Sequence, residues 1–216
     1  MSQPLIREQT FTCLDHPLIQ AKMTILRDQQ TPPHQFRRTL HEIAGLMSFA
    51  VFAHLRTDEV SVDTPLETTT GARLQDPLPC LLSVLRAGNG LVDAFSALLP
   101  EAAIGHLGVQ RDPVTHKPIY YYEKLPRDLD KRQVVIADPM LATGGSAIMA
   151  ADHLQKKGCR DMVFVCLIAA PEGVAAFQAA HPDIQVITAG LDRQLNKNCY
   201  ILPGLGDAGD RIYNTG

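Results

Sequence analysis

The residues best suited to chemistry lie in VVIADPMLATGGSAI, positions 134–148. An apolar run stops at Asp138, and the chain then turns small, with Ala142, Thr143, Gly144, Gly145 and Ser146 ahead of a helical pattern. A loop of that composition can aim several backbone N–H groups at one anion, and the helix behind it adds the partial positive charge of its N-terminus. Thr143 and Ser146 supply hydroxyl donors as well. A phosphate monoester fits such a cradle. Asp138, at the strand end, is placed to accept hydrogen bonds from sugar hydroxyls. The same residues also suit an ordinary strand-to-helix turn that needs glycines and a cap, and spacing alone does not separate the two readings.

The elements around this loop must position it. From Cys80 onward, short apolar runs alternate with helical stretches. CLLSVL, QVVIA, MVFVCLIAA and IQVITA read as buried strands, and SAIMAADHLQKKG as a helix stopped at Gly158. Ala103 to Val109 and Ile119 to Tyr122 read as a strand and a returning strand, with a turn at Asp112-Pro113. Buried strands alternating with helices predict an α/β fold with a mostly parallel central sheet flanked by helices. Ligands of such sheets sit at the carboxyl ends of the strands, where RAGNG, DPMLATGGS and AAPEG all fall. The first third reads as helical scaffold: Pro17 to Leu26, then a longer helix opened by Thr31-Pro32-Pro33, with Thr31 as its cap. Phe36, Leu40, Ile43, Met47, Val51 and Leu55 would form its buried face.

Composition excludes several classes. A net charge of −3 with no basic runs argues against a nucleic-acid binder. The five cysteines (Cys13, Cys80, Cys159, Cys166, Cys199) are odd in number and form no CxxC pair, which argues against a disulfide framework or a structural zinc site. Cys159 and Cys166 read as small buried residues. No segment has the length of a signal peptide core or a membrane span, so the expected location is cytoplasmic, with no membrane partner. Gly204, Gly206 and Gly209 spell GxGxxG but lack the strand-helix-strand setting of a dinucleotide site.

DPMLATGGS closely resembles the phosphoribosyl-pyrophosphate loop of type I phosphoribosyltransferases, in the version found in uracil phosphoribosyltransferases. The wider group commonly carries two adjacent acids at the loop start, and Pro139 replaces the second here. The likeness extends to HPLIQAKMTILRD, VLRAGNGLVDAF, GVQRDPVTHKPIYYYEKLP, IAAPEGV and YILPGLGDAGDRIYNT, nearly the whole chain. It implies one phosphoribosyltransferase domain over residues 1–216: N-terminal helices at about 17–56, an α/β core at about 78–190 and a C-terminal hood at about 191–216. GVQRDPVTHKPIYYYEKLP would be a β-hairpin arm. The reaction implied joins uracil to 5-phosphoribosyl-1-pyrophosphate (PRPP), giving UMP and pyrophosphate.

The same resemblance assigns PRPP binding to Arg86, Arg111, Asp138, Pro139, Met140, Leu141, Ala142, Thr143, Gly144, Gly145, Ser146 and Asp207. Uracil binding falls to Ile201, Gly206, Asp207 and Ala208. Arg111, Asp138 and Asp207 would carry catalysis through charge and positioning, with no covalent nucleophile. Mg²⁺ would be held by PRPP and water rather than by the protein. Family members commonly form homodimers or larger homo-oligomers, and many bacterial ones respond to GTP. Asn89, Gln110 and Gly190 depart from the more usual residues beside these segments.

Overall fold

Uninterrupted apolar runs become the interior of one sheet, because such strands are buried on both faces. The computed structural model describes residues 10–111 and 118–216. It runs β1 (Phe11–Cys13), α1 (Pro17–Arg27), α2 (Pro33–Val51), β2 (Thr57–Asp63), β3 (Thr68–Leu74), β4 (Cys80–Leu85) and α3 (Asn89–Leu98). Next come β5 (Ala103–Arg111), β6 (Pro118–Lys124), β7 (Val134–Ala137), β8 (Met140–Leu141), α4 (Gly145–Lys156) and β9 (Met162–Ala169). The chain finishes with α5 (Pro171–Ala180), β10 (Gln185–Leu191), β11 (Gln194–Leu195), β12 (Ile201–Leu202) and α6 (Ala208–Tyr213).

The main sheet has the order β1-β10-β9-β7-β4-β5-β6, with β8 beside β9. Every neighbouring pair is parallel except β5 with β6. The predicted mostly parallel α/β fold is what forms. Phe36, Leu40 and Met47 of α2 and Leu91 and Phe95 of α3 pack on one face of the sheet, with Ile19 and Met23 of α1. Ala150 and Leu154 of α4 and Phe177 of α5 cover the other face. Strands β4 and β7 are adjacent, yet their following helices lie on opposite faces. That divergence opens a crevice beyond the carboxyl ends of β4 and β7, the place where open α/β sheets bind ligands.

Several expectations need correction. The second helix ends at Val51, so Leu55 lies beyond it. Its N-cap is Pro32, which has no side chain to cap with, and the Thr31 hydroxyl instead donates to the Ile25 carbonyl at 2.6 Å. Residues 57–74, unassigned from the sequence, form the antiparallel hairpin β2–β3, whose residues are mostly exposed. The C-terminal segment from about 191, to which no secondary structure was assigned from the sequence, holds the antiparallel pair β11–β12 and α6. Asp112-Pro113 and His116 lie outside the described residues. Cys80, Cys159 and Cys166 are buried and unpaired, and burial pushes the Cys166 thiol up to about 12, as expected of an inert core residue. Among the described residues no helix is long and apolar enough to cross a membrane.

Candidate functional site

Strand β4 delivers Arg86 and β7 delivers Asp138 to the crevice. The peptide bond joining Leu85 to Arg86 is cis. The turn that follows lies hard against the neighbouring strand end: a Cβ on Gly88 would sit 2.3 Å from the Ala137 carbonyl oxygen and 2.7 Å from the backbone of Val84. Backbone cannot give way to that extent, so position 88 must lack a side chain. A second close approach occurs at Gly173 on the first turn of α5, where a Cβ would fall 2.3 Å from the Ala142 carbonyl oxygen. The strand-end loops after β4, β7 and β9 thus meet at backbone contact distance.

The segment after β7 forms one wall of a cleft of about 410 Å³. Asp138, Met140, Leu141, Ala142, Thr143, Gly144, Gly145 and Ser146 line it, and Asp207, Asn198, Cys199 and Tyr200 face them from the tail. Pro139 is buried, and its carbonyl accepts from Leu167 and Ile168 N–H at 2.9 and 3.1 Å. That pairing fixes the start of the loop to β9. Gly144 has φ of 83° and serves as N-cap of α4, a left-handed conformation that favours glycine. The first turn of α4 therefore opens into the cleft.

Asp138 accepts from the Met140 N–H at 3.4 Å. Burial in the crevice pushes its carboxyl up to about 7; the Met140 N–H opposes the rise, and the Asp207 carboxylate adds to it. A carboxyl so placed favours its protonated form, and a perturbation of this kind marks a candidate functional group. Among the described residues no group of three His, Cys, Asp or Glu side chains could hold a metal ion.

The tail closes over the cleft because two arginines fasten it to the N-terminal helices. Arg27 of α1 pairs with Asp192 through two hydrogen bonds of 2.8 and 2.5 Å and also donates to the Gly204 carbonyl at 2.9 Å. Asp192 is buried and accepts from the Gly204 N–H at 2.8 Å as well. Arg211 lies over the Phe36 ring, 4.5 Å from its centroid, and donates to the carbonyls of Leu26, Leu205 and Asp28. Gly204 and Gly206 take left-handed φ values of 69° and 81°. Ile201 and Ala208 are buried, while Gly206 and Asp207 are exposed, and Asp207 caps α6 by accepting from the Asp210 N–H at 2.9 Å.

Of the residues singled out in the sequence, Asp138, Met140 to Ser146 and Asp207 converge on the cleft. Arg86 stands beside it at the end of β4 against α6, and the Arg111 backbone closes β5 opposite Pro118. The turn residues Asn198, Cys199 and Tyr200 were not singled out, nor were Arg27, Asp192 and Arg211. Only the turn carried a local signal: Asn196, whose side chain accepts from the N–H groups of Asn198 and Tyr200 at 2.8 and 3.0 Å.

A model of the family described as uracil phosphoribosyltransferase matches residues 13–215. The chain belongs to the uracil phosphoribosyltransferase family. The uracil phosphoribosyltransferase of Streptococcus agalactiae is 50% identical over 205 residues, covering 95% of this chain and 98% of that protein. The uracil phosphoribosyltransferase of Dictyoglomus thermophilum is 50% identical over 202 residues, covering 94% and 98%. The solved structure of AQ2163 protein from Aquifex aeolicus superposes with a TM-score of 0.88 at 32% identity, over 95% of this chain and 99% of that one. The adenine phosphoribosyl transferase of Trypanosoma brucei shares the fold, with a TM-score of 0.55 at 13% identity over 96% and 92% of the two chains. The type I phosphoribosyltransferase fold expected from DPMLATGGS is therefore present, and the uracil phosphoribosyltransferase match spans every segment that carried the resemblance.

Removing the buried acid of the tail clamp tests how firmly it is fastened. Asp192→Ala leaves the Arg27 guanidinium and the Gly204 N–H without their partner, and should cost about 3 kcal/mol. The loss would appear as a lower urea midpoint, with an unchanged slope if the rest of the fold holds.

Proposed function

We propose that this chain transfers the phosphoribosyl group of PRPP to N1 of uracil, forming UMP and pyrophosphate in pyrimidine salvage. The observation that carries the reading is the facing of two structures across one cleft. On one side stand Asp138 and the loop that opens α4, and on the other the tail that begins at β11 and reaches Asp207. An anion cradle and a hood for a flat base are what a phosphoribosyl transfer requires.

In this reading the backbone of Ala142 to Ser146 holds the 5-phosphate at the N-terminus of α4. Asp138 accepts hydrogen bonds from ribose hydroxyls. Arg86 and Arg111 meet the pyrophosphate, where guanidinium offers paired donors. Uracil lies against Ile201 and the Gly206-Asp207-Ala208 backbone. Its O4 accepts and its N3–H donates, the reverse of cytosine, so a fixed backbone N–H and C=O would reject cytosine by leaving polar groups unpaired. The bond from C1 to the pyrophosphate oxygen breaks as the bond to N1 forms, and the N1 proton is released. Positive charge developing on the ribose ring is tolerated beside Asp138 and Asp207, and the protein's work is positioning and charge neutralisation. Bound with PRPP, Mg²⁺ would offset the charge of the pyrophosphate. Homo-oligomeric assembly, a GTP effector and a cytoplasmic location belong to the same proposal. Association is supported by the exposed apolar side chains Ile119, Tyr120, Tyr121 and Tyr122 on β6.

The deciding experiment supplies PRPP and Mg²⁺ with uracil, cytosine, hypoxanthine or adenine and measures pyrophosphate release. Uracil alone should support release, with UMP as co-product. Release with a different base would keep the cradle and overturn the hood assignment.

Asp138 gives the reaction a pH dependence of known sign. Its folded pKa is raised from 3.8 to about 7, so the folded chain holds this proton more tightly than the unfolded one. The stability it contributes is present below about pH 4 and is lost as pH rises toward 7. Asp138→Asn should therefore melt higher than the parent at pH 8, with the difference shrinking as pH falls toward 4. Ligand binding needs the ionised form. The ratio of parent to variant kcat/KM for PRPP should fall as pH drops below 7, which cancels the titration of PRPP itself. A ratio independent of pH between 5 and 8 would remove Asp138 from ribose recognition.

A further inference from the structure

The pyrophosphate loop and the base hood are joined at Tyr213, a residue that neither assignment uses. Arg86 opens the loop after β4, and Tyr213 closes α6, 127 residues later. The Tyr213 hydroxyl donates to the Arg86 carbonyl at 2.9 Å. Its ring also lies beside the guanidinium of the same residue, with Cζ 5.5 Å from the ring centroid. One residue therefore grips both the backbone and the side-chain head of Arg86.

Asp210 stands three positions before Tyr213 and so shares its face of α6. Its carboxylate lies 3.7 Å from Arg86 Nη2, within reach of charge attraction but too far for a hydrogen bond. The Asp210 carboxylate is itself held by the Thr215 hydroxyl at 2.7 Å. Attraction at that distance orients the guanidinium without spending its N–H donors. Gly209 of the same helix faces the loop: a Cβ there would stand 3.9 Å from Ala87 Cβ and 4.0 Å from Arg86 Nη2, ordinary contact distances that place α6 directly against the turn after β4.

We infer that Tyr213 is a positioning residue for the pyrophosphate site, holding Arg86 in place for a diphosphate and tying that site to the hood through α6. The inference rests on the role given to Arg86 above. An arginine ordered before its ligand arrives loses less rotamer freedom on binding, so the affinity gained falls on the diphosphate end of the substrate. The base, held by backbone earlier in the tail, gains nothing from the Tyr213 hydroxyl.

The test compares Tyr213→Phe, Tyr213→Ala and Arg86→Ala with the parent protein. Binding of inorganic pyrophosphate with Mg²⁺ is measured by calorimetry, KM for PRPP and for uracil in the transfer assay, and melting temperature in each case. Tyr213→Phe keeps the ring and should weaken pyrophosphate binding about fivefold, the worth of one ordinary hydrogen bond. KM for PRPP should rise by a similar factor, with KM for uracil and the melting temperature unchanged. Tyr213→Ala, which also removes the ring, should weaken pyrophosphate further. Pyrophosphate affinity unchanged in both tyrosine variants, while Arg86→Ala loses it, overturns the role of Tyr213 alone. So does a parallel loss in both KM values with a lower melting temperature, the mark of general loosening. An Arg86→Ala protein that binds pyrophosphate like the parent would overturn the assignment of Arg86 and the inference with it.

Discussion

The site depends on backbone meeting backbone where strands end. At residues 88 and 173 a side chain as small as a methyl would drive into a neighbouring carbonyl oxygen at 2.3 Å. These two contacts set the distance between the loop after β4, the loop after β7 and the start of α5. The strand-end side of the cleft inherits its position from them: Asp138 from the end of β7 and Ala142 to Ser146 from the turn into α4, with Arg86 beside the cleft on the turn at Gly88. Close packing of this kind leaves few alternative arrangements, because interiors are dense and displacement in one loop must be taken up by the next.

Charge is distributed across the cleft so that the empty protein is under-compensated. Asp138 sits where burial opposes its ionisation and where Asp207 adds like charge. Three arginines of the surrounding segments have partners within the fold: Arg27 and Arg211 hold the tail, and Arg86 is shared with α6. Such an arrangement gives up stability in the free state for affinity in the bound one, a familiar exchange at functional sites. It also explains why the clamp uses buried, multiply bonded partners, since the tail must withstand the cost carried by the site.

Most of the sheet was legible in the sequence because its strands are apolar on both faces and punctuated by glycine, proline and acidic residues. The residue sizes of DPMLATGGS left a cradle and an ordinary strand-to-helix turn equally open, and it was the resemblance to a family that decided between them. Other features carried no local mark. Strand β1 is three residues long and exists through its pairing with β10, and β2–β3 shows little apolar patterning for a period to register. Leu55 continued a helical rhythm that the chain breaks at Phe52, where the backbone leaves helical geometry. Arg27 looked like the end of a scaffold helix, because its partners Asp192 and Gly204 lie 165 and 177 residues away. A contact between distant segments leaves no trace in the spacing of near neighbours.

That separation governs how the molecule comes into being. The bonds from Arg27 to Asp192 and from Arg211 to Asp28 close loops of 165 and 183 residues, among the longest this chain can form. Such closures come late, since entropy must be surrendered before distant partners reward it. On a ribosome, α1 and α2 emerge early with the docking surface for the tail still bare, and the sheet can assemble behind them. The cleft gains its second wall only after residues 192–213 have been synthesised and have folded back on the first helices. Growth of the chain thus orders events so that the loop opening α4 is made before the tail residues that face it across the cleft.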